Sequence, residues 1–73
     1  MDIESFIQFA DEHDLWFEHK RIESLDSLKL MFTNPRTRRA YTYYVSPYEL
    51  KNVDKHNAVI NHIKNLVTQN LLQ

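Results

Sequence analysis

The spacing of apolar residues changes several times along the chain, and each change marks an element. Ile3, Phe6, Ile7 and Ala10 stand at i, i+3, i+4 and i+7, one face of a helix. This predicts a helix over 3–12, with Asp2 as its N-cap and acids in the first turn suiting the dipole. The cluster Asp11-Glu12-His13-Asp14 ends it. Residues 15–23 read as a strand, with Leu15, Phe17 and His19 on one face and Trp16 and Ile22 on the other. One bulge would bring Phe17 and Ile22 to the same side.

A second strand follows at 28–33, where Leu28, Leu30 and Phe32 alternate with Lys29, Met31 and Thr33. Asn34-Pro35-Arg36-Thr37 has turn chemistry, asparagine suiting the first position and proline presetting φ at the second. Residues 38–45 are rich in strand formers: Tyr41, Thr42, Tyr43, Tyr44 and Val45. A loop at 34–37 would place Thr33 opposite Arg38, Phe32 opposite Arg39, Leu30 opposite Tyr41 and Leu28 opposite Tyr43. In that register the apolar faces of the two strands coincide.

Ser46-Pro47-Tyr48-Glu49 then has the pattern of a capping box with proline at the first helical position. Beyond it Val53, His56, Val59, Ile60, Ile63, Leu66, Val67 and Leu71 fall within roughly 140° of a helical wheel. Asn57, Asn61, Lys64, Asn65, Thr68 and Gln69 take the opposite face. The periodicity supports one helix over 47–72, while Asn52-Val53-Asp54 offers a second cap and a break. The resulting order is α-β-β-β-α. The fold class is α+β: a three-stranded antiparallel meander with two helices packed on one face.

Seventy-three residues predict a single domain over 1–73, without repeats or linkers. The chain contains no glycine, where roughly five would be usual. Phosphate-cradling loops, dinucleotide fingerprints, the nucleophile elbow and the EF-hand loop all need glycine and are excluded. With no cysteine there is neither a disulfide framework nor thiolate chemistry. Apolar runs reach only three residues, as in Leu15-Trp16-Phe17, too short for a membrane span. The acidic opening Met1-Asp2-Ile3-Glu4 does not read as a leader, so a cytoplasmic location is expected.

No cofactor, metal or catalytic centre is expected. His56 and His62 lie about 240° apart on a helix and cannot share an ion. His56 falls within the apolar stripe and is expected to be partly buried and hydrogen-bonded. Acid–base catalysis needs two groups converging in a pocket, and a two-layer domain of this size has little concave volume. The acids at 11, 12 and 14 read as a solvated helix end.

The formal charge is −1, but it is unevenly spread. Residues 1–19 hold six acids and no lysine or arginine, and residues 20–73 hold nine bases against four acids. Arg36, Arg38 and Arg39 crowd the hairpin tip, with Lys20 and Arg21 on the first strand. Such a group can contact phosphates, or simply keep a turn and a sheet edge solvated. If Leu28, Leu30, Phe32, Tyr41 and Tyr43 face the helices, the other face shows Met31, Ala40, Thr42 and Tyr44, with Trp16 beside them. A bare sheet face with aromatic residues can dock protein or stack bases.

The α-β-β-β-α order resembles that of a double-stranded-RNA-binding domain, and residues 15–72 resemble in outline the three-stranded arm-binding domains of phage-type integrases. Both resemblances imply nucleic-acid binding. The first family relies on a glycine-containing loop between its first strands and a lysine-rich start to its last helix. Here those segments are Ser24-Leu25-Asp26-Ser27 and Pro47-Tyr48-Glu49, so no functional residue carries over.

The expected function is therefore that of a small non-enzymatic regulatory protein that binds another protein, of the kind found in phage and mobile elements. The alternative is a nucleic-acid module. The candidate contacts are Trp16, Lys20, Met31, Arg36, Arg38, Arg39 and Tyr44. An unbroken helix over 47–72 would span about 39 Å and overhang strands of about 20–27 Å. Its apolar end at Leu66, Val67 and Leu71 would then be a candidate for self-association, although a monomer is expected ahead of a homodimer.

Overall fold

A computed structural model describes residues 1–73 and has the expected architecture. Helix α1 (Ile3–Glu12) precedes strands β1 (Trp16–Ile22), β2 (Ser27–Asn34) and β3 (Arg39–Val45), which form an antiparallel sheet in the order β1-β2-β3. A short helix α2 (Pro47–Lys51), a 3₁₀ turn (Val53–Lys55) and a long helix α3 (His56–Leu71) complete the chain. No helix is long and apolar enough to cross a membrane.

Helix α1 buries Phe6, Phe9 and Ala10, with Ile3 partly covered. The buried arc is centred on Phe6 rather than between Phe6 and Ile7, and Ile7 is 43% exposed. Aromatic packing accounts for this rotation. The Phe6 ring lies 6.0 Å from both Phe17 and Phe32, and Phe9 packs edge-on to Phe32 at 6.3 Å. Tilted and edge-to-face pairs at such separations add stabilisation beyond the buried area. Asp2 occupies the N-cap position, but its side chain makes no capping hydrogen bond.

The helix closes in a Schellman arrangement. The Leu15 N–H donates to the Ala10 carbonyl at 2.8 Å and the Asp14 N–H to the Asp11 carbonyl at 3.3 Å. Asp14 takes the left-handed conformation, φ 55°, that glycine usually supplies. The same conformation recurs at the last residue of each hairpin loop. Asp26 (φ 48°) ends the loop after Ile22, and Arg38 (φ 62°) ends the loop after Asn34. A chain without glycine thus places side-chain-bearing residues at all three left-handed corners.

Strands β1 and β2 pair without a bulge, from Trp16 opposite Thr33 to Ile22 opposite Ser27. Phe17 and Ile22 consequently stay on opposite faces. Between β2 and β3 the register differs from the sequence expectation by two residues. Leu30 lies opposite Tyr43, not Tyr41; Phe32 lies opposite Tyr41 and Leu28 opposite Val45. Asn34 is the cause. It is not the first turn residue but the last residue of β2, paired with Arg39, and the loop runs over 35–38. Its buried side chain donates from Nδ2 to the Leu71 carbonyl at 2.9 Å and accepts at Oδ1 from the Arg36 N–H at 3.0 Å. A shift of two preserves the face of every side chain, so the core composition is as expected.

The helix expected over 47–72 is broken. Ser46 and Glu49 form the reciprocal capping box, with Glu49 N–H to Ser46 Oγ at 3.1 Å and Ser46 N–H to Glu49 Oε1 at 3.0 Å. After one turn the backbone leaves helical geometry at Asn52 (φ −89°, ψ 75°). His56 is partly buried, and its Nε2 lies 3.1 Å from the Leu50 carbonyl, one of the acceptors freed by that break. Val53, expected in the apolar stripe, falls in the 3₁₀ turn and is 69% exposed. The sixteen residues of α3 span about 24 Å, close to the length of the strands beneath.

With the helix shortened, there is no overhang. Ile60, Ile63, Val67 and Leu71 join Leu30, Phe32 and Val45 in the core, and Leu66 is partly covered. Val67 and Leu71 are thus enclosed by their own chain, and the apolar end suggested for self-association is not an open surface. Lys64 ties α3 to α1, its ammonium donating to Ser5 Oγ at 2.7 Å and lying 5.8 Å from the centre of the Phe9 ring.

Two substitutions test these constraints. Asn34→Ala leaves the buried Leu71 carbonyl unpartnered and loosens the loop, and should lower stability by about 1–3 kcal/mol in urea unfolding. Arg38→Gly should raise stability by about 0.5–1 kcal/mol, since relief of a left-handed backbone exceeds the entropy cost of glycine. A destabilised glycine variant would show that the Arg38 side chain contributes more than its backbone conformation costs.

Candidate interaction surface

Helices α1 and α3 lie on one side of the sheet, and the other side carries no layer of secondary structure. Strand alternation and register put three cross-strand rows there: Trp16–Thr33–Ala40, Glu18–Met31–Thr42 and Lys20–Lys29–Tyr44. The face expected from sequence, with Trp16, Met31, Ala40, Thr42 and Tyr44, is therefore formed. Trp16 is 65% exposed and Tyr44 54% exposed, while Met31 at the centre is half-buried. Trp16 and Tyr44 occupy opposite corners, two strands and four residues apart, a diagonal of about 16 Å. They cannot stack on one ligand group, but one flat partner can reach both.

Alternation along β2 also brings in Lys29, which was not among the expected contacts. It lies directly across from Lys20, and like charges in that position disfavour the sheet. Glu18 sits two residues from Lys20 on the same strand and diagonal to Lys29, offsetting part of that repulsion. Glu18, His19, Lys20, Lys29 and Met31 line a shallow concavity of about 440 Å³.

The basic residues do not form one patch. Arg36 and Arg38 belong to the β2–β3 loop, and Arg39 opens β3, all at the Trp16 end of the sheet. Lys20 lies at the other end, four residues or about 13 Å further along β1. Arg36 Nη1 is 3.6 Å from Asp14 Oδ2, facing the acidic end of α1. Arg21 pairs with Asp26 across the other hairpin loop. Arg38 and Arg39 are exposed and form no ion pair.

A polar cluster at the β3–α2 junction is structural. The Tyr43 hydroxyl donates to Glu49 Oε2 at 2.9 Å while Oε1 serves the capping box. Burial, the bond to Glu49 and the nearby Glu49 charge push Tyr43 up to about 12. For Glu49 burial alone would raise the pKa, but bonds from the Ser46 N–H, the Tyr43 hydroxyl and the Ser46 side chain, with His62 nearby, hold it below the ordinary carboxyl value. The capping box was legible in the sequence. The tyrosine was not, because its reach depends on how α2 turns back on β3.

No protein-family model, curated protein or solved structure matches the chain.

The Tyr43–Glu49 bond predicts a pH dependence. A depressed Glu49 pKa stabilises the fold above the unfolded-state value, and that contribution is lost as pH falls through the folded value. The raised Tyr43 pKa acts in the other direction, its contribution full below about 10 and lost as pH rises toward about 12. Tyr43→Phe should flatten both limbs of urea midpoint against pH. An unchanged profile would mean that other groups set it.

Proposed function

We propose that the protein is a non-enzymatic regulatory module that binds another protein through the open face of its sheet. The observation that carries this reading is the exposure of Trp16 and Tyr44 on an uncovered face with Met31 between them. Aromatic residues and methionine are enriched at protein interfaces, and tryptophan and tyrosine dominate binding hot spots. Two of the six arginine and lysine residues of β1 and the β2–β3 hairpin, Arg21 and Arg36, face acids of the same chain. This leaves the nucleic-acid reading with Lys20 and Lys29 at one end of the sheet and Arg38 and Arg39 at the other. In this reading the protein is a small cytoplasmic regulator of a phage or mobile element, which its glycine-free composition supports, and the genes beside its own would test that origin.

The experiment compares the wild type with Trp16→Ser/Tyr44→Ser. Both side chains are exposed, so the variant should unfold within about 0.5 kcal/mol of the wild type. A partner retained by the tagged wild type from cells expressing it should be lost with the variant. Titration with single-stranded and duplex oligonucleotides supplies the opposing outcome. Binding at low salt that weakens steeply as salt rises, and that disappears in Arg36→Ser/Arg38→Ser/Arg39→Ser, would replace this reading with the nucleic-acid one.

A further inference from the structure

Strand β1 is an edge of the sheet, and its outer side pairs with no other strand. The two concavities of the molecule flank this strand. One is the shallow hollow on the open face, and the other is a groove of about 390 Å³ lined by Ile7, Ala10, Asp11, Leu15, Phe17 and His19 beside α1. We propose that β1 pairs antiparallel with β1 of a second copy about a two-fold axis at His19, forming one continuous six-stranded sheet.

The argument rests on the order of side chains along the strand. A two-fold axis normal to the sheet must run midway between the two copies of one residue of β1, so that even positions meet even ones and odd meet odd. Centred on His19, the midpoint of Trp16–Ile22, all seven residues find partners. On the open face Trp16 meets the partner's Ile22 and Glu18 meets the partner's Lys20, and by symmetry each contact occurs twice. On the helix side Phe17 meets the partner's Arg21, and His19 meets its own copy. The face thus gains two ion pairs and two aromatic–β-branched pairs, the combinations that stabilise cross-strand neighbours.

Neighbouring registers lose this complementarity. An axis at Glu18 sets Glu18 against its own copy, and an axis at Lys20 sets Lys20 against its own copy and His19 against arginine. Each also shortens the overlap. The other edge offers no equivalent. Self-pairing of β3 about Thr42 brings no opposite charges together and sets Arg39 against Val45, which is fully buried. Charged residues on edge strands commonly prevent association. Here Glu18 and Lys20 are spaced so that a second copy in one register satisfies both.

This pairing shares Trp16 with the partner-binding reading but rests on Glu18 and Lys20, so its test is separate from that reading. A closed two-fold dimer is the commonest arrangement of a self-complementary surface.

Charge reversal tests it. In sedimentation equilibrium at about 500 µM, the wild type should approach twice the 8.8 kDa of the single chain. Lys20→Glu and Glu18→Lys each replace two attractive pairs by two repulsive ones, and each should weaken self-association by roughly tenfold or more. Mixed in equal amounts, these two variants should form a heterodimer, because each supplies the charge the other lacks. The double reversal Glu18→Lys/Lys20→Glu should dimerise with itself and not with the wild type. Circular dichroism checks that every variant remains folded. A wild type that stays at the single-chain mass overturns the proposal. So do single variants that associate as well as the wild type, or a mixture that remains monomeric.

Discussion

The side chain of Asn34 ties the end of β2 both to the hairpin loop that follows it and to the end of α3, 37 residues away. Its amide group donates to the last turn of α3 through the Leu71 carbonyl, and its amide oxygen accepts from the Arg36 N–H. Asn34 is nearly inaccessible to solvent, so neither group has water as an alternative partner. The bond to Arg36 N–H shapes the start of the hairpin loop. The loop sets which residues of β2 and β3 stand opposite one another. The bond to Leu71 places the end of α3 against the same corner. The helix layer and the hairpin are thereby aligned by one buried amide, while Phe32, Val67 and Leu71 belong to the apolar core.

The absence of glycine makes the corners of the fold informative. Asp14, Asp26 and Arg38 all adopt left-handed backbone conformations. Aspartate is among the residues that tolerate this region best, whereas arginine has no such advantage. Arg38 occupies its conformation because the loop geometry set by Asn34 requires a left-handed residue before β3 can begin; the Arg38 N–H donates to the Asn34 carbonyl at 2.8 Å. Local backbone energy is here subordinate to the position of the buried amide.

Burial is concentrated on one side of the sheet, and this division separates stability from recognition. The helix side holds the phenylalanine cluster and the aliphatic stripe of α3. The opposite side holds Trp16, Met31 and Tyr44 among alternating polar residues, so changes there leave the core intact. Charge follows the same division only in part. Arg36 and Arg21 are directed to Asp14 and Asp26, whereas Lys20 and Lys29 stand together on the open face with Glu18 beside them. Local ion pairing thus reduces the basic character that the chain shows when read as a line.

Periodicity along the chain was sufficient for the elements and their faces. The stripe from Ile60 to Leu71, the alternation of Leu28, Leu30 and Phe32, and the Ser46–Glu49 cap are local signals, each contained within a few residues. The open face was legible for the same reason: alternation assigns a side to every strand residue whatever the register. The two-residue offset between β2 and β3 goes with Asn34 closing β2 as a buried residue, its side chain held by the nearby Arg36 N–H and by the Leu71 carbonyl 37 positions away, and the second of these no local pattern encodes. The choice between a continuous and a broken last helix was likewise tertiary. Asn52 permits either, and the break lets α3 match the length of the sheet while His56 meets the Leu50 carbonyl. Faces follow from short-range geometry that the sequence carries by itself, whereas register, helix length and the pairing of charges follow from buried polar groups finding partners only when the layers come together.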